Sequence, residues 1–131
     1  MKQLCIVILG ILVWVATFSP LAANEKTPTQ AYLEYCAAVT KATKLSDILP
    51  YLSAAYRGML ESRPKEDHAV WLKNLKEDIM KDIKVTGETI SGKTCRLEAI
   101  GTSKRGNTMK GKIILVKEGT SWKLDEQFWS T

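Results

Sequence analysis

The hydrophobic period of this chain changes near Lys84, and that change limits what it can fold into. Tyr32, Tyr35, Cys36, Val39 and Thr43 recur at i, i+3, i+4, i+7 and i+11, one face of a helix. Thr27-Pro28-Thr29-Gln30 opens that helix, with Thr27 as cap, Pro28 at the first helical position and Gln30 completing a capping box. A second stripe, Leu49, Leu52, Tyr56, Met59 and Leu60, starts after Ser46-Asp47, with Pro50 tolerable only in its first turn. A third runs through Trp71, Leu72, Leu75, Ile79 and Ile83, backed by a solvated face of Lys73, Lys76, Glu77, Asp78, Lys81 and Asp82. Beyond Lys84 the period is 2, and residues 85–90, 95–102, 109–117 and 122–129 read as strands. Turn signals part them at Ser91-Gly92, Arg105-Gly106-Asn107 and Glu118-Gly119. Helices first and strands afterwards make an α+β domain, three N-terminal helices packed on a curved four-stranded antiparallel sheet. Trp71, Leu75, Ile79, Leu97, Leu115 and Trp122 are expected in the core between the layers.

Residues 1–23 carry a different pattern. Lys2 gives a short positive start, residues 4–18 are almost unbroken apolar, and Ser19-Pro20-Leu21-Ala22-Ala23 is a small-residue cleavage region. The run falls short of the ~20 apolar residues of a bilayer span. It reads as an export signal, so the expected location is periplasmic or secreted. Cleavage after Ala23 leaves residues 24–131, 108 of the 131, enough for a single domain with one core. Cys5 departs with the signal. Cys36 and Cys95 then remain in an oxidising compartment, both on faces that periodicity turns inward, and a disulfide joining the first helix to the sheet is expected.

Composition excludes more than it selects. Two thiols and the single His68 do not make a metal site, and nothing calls for a cofactor. Gly87-Glu88-Thr89-Ile90-Ser91-Gly92-Lys93-Thr94 matches the phosphate-loop spelling, yet a strand rather than a helix follows it, so it reads as a β-turn. Without Lys2 the balance is 18 basic against 14 acidic residues. Lys104, Arg105, Lys110 and Lys112 lie in a stretch with no acid between Glu98 and Glu118. That hairpin suits an anionic envelope surface, or simply solvation; nucleic acid is a poor partner for an exported chain lacking interleaved exposed aromatics. His68 lacks an orienting partner in the sequence, and the paired acids fall on a solvated helix face. Tyr32, Tyr35, Tyr56, Trp71, Trp122 and Trp129 either fill a small core or line a ligand cavity between helices and sheet.

The order of elements resembles the small exported bacterial domains of the NTF2-like superfamily. Thr27-Pro28 before a Tyr-bearing helix carries that likeness, together with Ile48-Leu49-Pro50-Tyr51-Leu52-Ser53 and Asp82-Ile83-Lys84-Val85. Residues 113–119, 121–125 and Trp129 extend it, so that it spans Thr27 to Trp129. The resemblance implies an α+β cone in which a curved sheet wraps the helices, and a homodimer through the outer sheet face. Ile114 and Val116 would face outward there. Enzymatic members such as ketosteroid isomerase and scytalone dehydratase place Asp, His or Tyr inside the cone, and their catalytic positions find no match here. The expected function is a non-catalytic exported binding or interaction module for a small apolar ligand or an envelope protein. The alternative is a small isomerase, dehydratase or hydrolytic enzyme using Tyr32, Tyr56 or His68 in the same cavity.

Overall fold

A computed structural model describes residues 25–131; the expected signal, residues 1–23, lies outside the described residues. Helix α1 spans Pro28–Lys41 and begins as its sequence dictates. The Thr27 hydroxyl accepts the Gln30 backbone N–H at 3.1 Å, and the Gln30 side chain accepts the Thr27 N–H at 3.0 Å. This capping box satisfies two of the donors that a helix start leaves unpaired.

The expected second helix is shorter and starts later. Two 3-10 turns, Leu45–Asp47 and Leu49–Tyr51, occupy its first half, and α2 spans only Ala54–Glu61. Pro50 lacks the N–H that a continuing α-helix needs, and the backbone turns extended at Leu52 (ψ 150), so the chain makes tight turns before α2 instead. The true cap is Ser53, whose hydroxyl accepts the Tyr56 N–H at 3.1 Å. Helix α3, His68–Asp78, follows a third 3-10 turn at Lys65–Asp67. It too is shorter than its apolar stripe, because the backbone turns extended at Ile79 (ψ 130) and Asp82 follows at φ 52, a left-handed geometry that no α-helix contains. Ile83 therefore belongs to the sheet.

Strands β1 (Lys81–Ser91), β2 (Thr94–Thr102), β3 (Thr108–Glu118) and β4 (Ser121–Ser130) form an antiparallel meander in the order 1-2-3-4. Cys95, Leu97 and Ala99 are buried while Arg96, Glu98 and Ile100 between them are exposed, as a one-sided sheet requires. Register shifts in β1 and between Ile114 and Leu115 mark bulges, which bend a strand and strengthen its twist. The phosphate-loop spelling ends in a hairpin turn, with Ser91 paired to Thr94 and Gly92 at φ 60.

The core lies between α1 and the inner sheet face. Tyr32, Tyr35, Val39, Ile48, Leu52 and Leu60 pack there with Leu97, Ile113, Leu115 and Leu124. Trp71, Leu75, Ile79 and Trp122, expected in it, pack half-buried at its margin. At the β4 edge the chain before α2 adds a short parallel bridge, Leu52 beside Leu124, and the Ser53 N–H donates to the Leu124 carbonyl at 2.8 Å. This contact covers part of an edge that would otherwise present unpaired backbone groups.

Candidate functional site

Inward-facing residues of the sheet align in rows across the strands. One row runs Glu88, Leu97, Ile113, Gln127. The start of α1 is fastened to both ends of it. Glu88 Oε1 accepts the Thr29 hydroxyl at 2.8 Å and the Thr29 N–H at 3.2 Å, a carboxylate placed where a helix N-terminus favours one. At the other end Gln127 Oε1 accepts the Tyr32 hydroxyl at 2.9 Å and the Trp129 indole N–H at 3.3 Å. The Tyr32 and Tyr35 rings stack with centroids 6.1 Å apart. Burial pushes both phenols, and to a lesser extent Tyr56, above the usual tyrosine range. A phenol held neutral in this way serves as a hydrogen-bond donor and not as a base.

The six aromatics expected around one cavity are therefore spread over several places. Tyr32 and Tyr35 are fully buried packing groups. Trp129 lies across Gly111, where a Cβ would sit 2.7 Å from its ring. Tyr56 is half-buried beside Tyr35. Trp71 sits at the margin with the Arg63 guanidinium 4.8 Å from its ring centroid. Trp122 lines a cleft, with the Lys117 ammonium 5.8 Å from its ring centroid.

That cleft has a volume of about 660 Å³. It opens between the start of α1 and the β3–β4 hairpin, with Ala31, Pro50, Tyr51 and Trp122 supplying apolar lining. Charged groups sit at its rim in pairs. Lys26 reaches Glu34 at 2.6 Å and Lys117 reaches Glu25 at 3.7 Å, while Lys123 donates to the Pro50 carbonyl. The hydrogen bond to Glu34 raises the Lys26 pKa above its ordinary value. Sequence periodicity gave no sign of Gln127 as a hub, although its register two residues before Trp129 places it on the same inward face. Nor could it locate the cleft, whose walls meet only in the folded chain.

The cysteine expectation is overturned. Cys36 and Cys95 are both buried, and both are free thiols. Periodicity places each on an inward face, but facing inward from two elements does not make two residues neighbours. Cys36 sits beside Tyr32 on α1, which is anchored over the Glu88–Gln127 row. Cys95 lies on the next row, between Ile90 and Leu115. Burial raises each thiol to about 11.

Carboxylates near the helices have structural partners. Asp125 accepts the Ser53 hydroxyl at 2.7 Å, and Glu118 accepts the Ala54 N–H at 2.7 Å with Arg57 at 3.7 Å. His68 bonds the Arg63 carbonyl at 3.2 Å. Among the described residues no group of three or more His, Cys, Asp or Glu side chains is placed to hold a metal ion, and no helix is long and apolar enough to cross a membrane. Lys110 and Lys112 stand on the outer sheet face, and Lys104 and Arg105 in the exposed β2–β3 turn.

No family model matches the chain, and no curated protein matches it. Among solved structures it is similar to a SEC-C motif containing protein from Rhodopseudomonas palustris, with a TM-score of 0.51 and 14% identity over 83% of this chain and 85% of that one. It is also similar to a protein described as an NTF2-like transpeptidase from Campylobacter jejuni, with a TM-score of 0.49 and 12% identity over 77% of this chain and 99% of that one. At such identities the likeness is one of fold. Helices ahead of a bent antiparallel meander, covering its inner face, are the α+β architecture that the order of elements implied.

Proposed function

We propose that this chain is an exported, non-catalytic binding module that seats a small apolar ligand in the cleft between α1 and the β3–β4 hairpin. The observation that carries this reading is the apolar lining of half-buried Trp122, Tyr51 and Ala31 with exposed Pro50 in a space of about 660 Å³. The interior offers a ligand less. Its tyrosines are packed, and the hydroxyl of Tyr32 is already spent on Gln127. Binding is favoured over catalysis because Glu88 and Glu118 are occupied by backbone N–H groups of helix starts, Asp125 by the Ser53 hydroxyl, and the Tyr32 phenol is held neutral by burial.

The seat is tested by titrating the purified chain with p-cresol and cyclohexanol while following the indole N–H resonances. A saturable shift at Trp122, weakened in Tyr51→Ala, is the expected result. A shift at Trp129 instead would move the seat inside the cone, and silence at Trp71, Trp122 and Trp129 alike would defeat the reading. Export is tested separately, by finding Asn24 as the new amino terminus of chain recovered from outside the cytoplasm.

A further inference from the structure

The outer face of the sheet joins exposed apolar side chains to an excess of positive charge. Register sets Ile100 of β2 between Lys84 of β1 and Lys110 of β3, and sets Lys112 of β3 between Glu98 and Phe128. Phe128 is 64% exposed and Ile100 41%, two large apolar side chains left in water on one face. Both border one shallow groove of about 490 Å³, with Lys110 and Lys112 between them. The β2–β3 turn at the same end adds Lys104 and Arg105, both exposed. The ion pairs found among the described residues join Lys26, Arg57 and Lys117 to acids and involve none of these five cations. Glu98 is the carboxylate that shares the groove with them.

We propose that this face docks on the surface of an anionic phospholipid bilayer, with Phe128 and Ile100 entering the headgroup boundary and the surrounding cations meeting lipid phosphates. Both halves of the patch are needed for the argument. Interfacial binding grows with the apolar area buried and with attraction to anionic lipid, and an aromatic ring flanked by lysines supplies both. A soluble polyanion would satisfy the lysines and leave Phe128 and Ile100 in water. A second copy of the chain would cover the apolar pair, but a two-fold contact brings the same patch, with its excess of cations, against itself. Charge therefore favours lipid over self-association. The inference is independent of the cleft, since the two surfaces share no lining residue.

The test is co-sedimentation of the purified full chain with vesicles of phosphatidylcholine alone, and of phosphatidylcholine with phosphatidylglycerol. Binding to the anionic vesicles is expected, falling as salt rises from about 0.05 to about 0.5 M. Lys110→Ser with Lys112→Ser should weaken it roughly tenfold or more. Phe128→Ser should weaken it about tenfold at low salt. These side chains are exposed, and an unchanged near-ultraviolet circular dichroism spectrum checks that the fold persists. Equal binding to neutral vesicles, untouched by the substitutions, would assign adhesion to the apolar run of residues 4–18 and overturn the proposal. So would salt-sensitive binding indifferent to Phe128→Ser, which marks a soluble polyanion site. A dimer in size-exclusion chromatography that Phe128→Ser dissolves would make the second copy the occupant. No binding to either vesicle also refutes it.

Discussion

The Tyr32 hydroxyl on α1 donates to Gln127 Oε1 on β4 across 2.9 Å, tying the first helix to the last strand. The Trp129 indole N–H shares that acceptor at 3.3 Å. One uncharged amide thus satisfies two polar tips that burial would otherwise strand, and does so without a titrating group. The arrangement explains how a small core can hold large amphipathic aromatics and still leave none of their polar atoms orphaned.

Gln127→Leu should therefore cost more than Tyr32→Phe. The first leaves two donors without their acceptor, a loss of about 1–3 kcal/mol, whereas the second removes one bond and leaves Gln127 still paired to Trp129, a loss of about 0.5–1.5 kcal/mol. Urea unfolding of both variants gives the comparison. If Tyr32→Phe proves the costlier of the two, Gln127 is not the hub described.

Gly111 is occupied from the side by Trp129, whose ring lies 2.7 Å from the place of a Cβ. Gly111→Ala should destabilise the chain by about 1–3 kcal/mol through overpacking. In a Trp129→Leu background the added methyl should cost far less, because the ring that it strikes is gone. A double-mutant cycle in denaturant measures that coupling, and strict additivity of the two changes would rule the contact out.

These contacts also show what the sequence could and could not reveal. The Thr27 capping box, the alternation through β2 and the turn at Gly92 depend on neighbours in sequence, and each is found where local chemistry puts it. The second helix failed as a reading because Leu49 and Leu52 keep helical spacing while Pro50 denies the backbone that spacing needs. Ile83 continues the stripe of α3 by period alone, and the extended backbone at Ile79 and the left-handed Asp82 show that the helix has ended before it. The cysteines failed for a third reason. Periodicity assigns a face to each residue, but the row on which a helix lands is set by long-range bonds such as Thr29 to Glu88. The cleft has the same origin, since Trp122 and Ala31 meet only after α1 has been fastened over the sheet.

Asp47 carries an acid-sensitive contribution. Its carboxylate accepts the backbone N–H groups of Thr43 and Lys44 at 3.0 and 3.2 Å, with the Thr43 hydroxyl at 3.3 Å, and the bond from the Thr43 N–H does most to lower its pKa from 3.8. Between the depressed folded value and the ordinary one, the unfolded chain binds more protons, so stability rises with pH in that window. The contribution is complete above the unfolded value and lost as pH falls through the folded one. Asp47→Asn should flatten this part of the stability–pH curve below about pH 4, as read by denaturant midpoints across acid buffers. An unchanged acid slope would show that the carboxylate does not hold this turn.

The thiols give the opposite dependence. Cys36 and Cys95 are buried and free, and burial raises each from an ordinary 9.0 to about 11. Neither should react with a disulfide reagent at mildly alkaline pH while the chain is folded, because the thiolate is scarce and access is blocked. Both should react once denaturant opens the core, with no reductant added. As pH climbs above 9 the unfolded chain releases thiol protons that the folded chain still holds. The stability that the buried thiols contribute is thus complete below pH 9 and lost as pH approaches about 11. The loss amounts to about 2–3 kcal/mol for each thiol at the upper end. Cys36→Ala should remove its share of that alkaline slope, whatever it does to stability at neutral pH. Rapid labelling of the folded chain, or an alkaline limb that survives replacement of both cysteines, would show that these thiols are not sealed in the core.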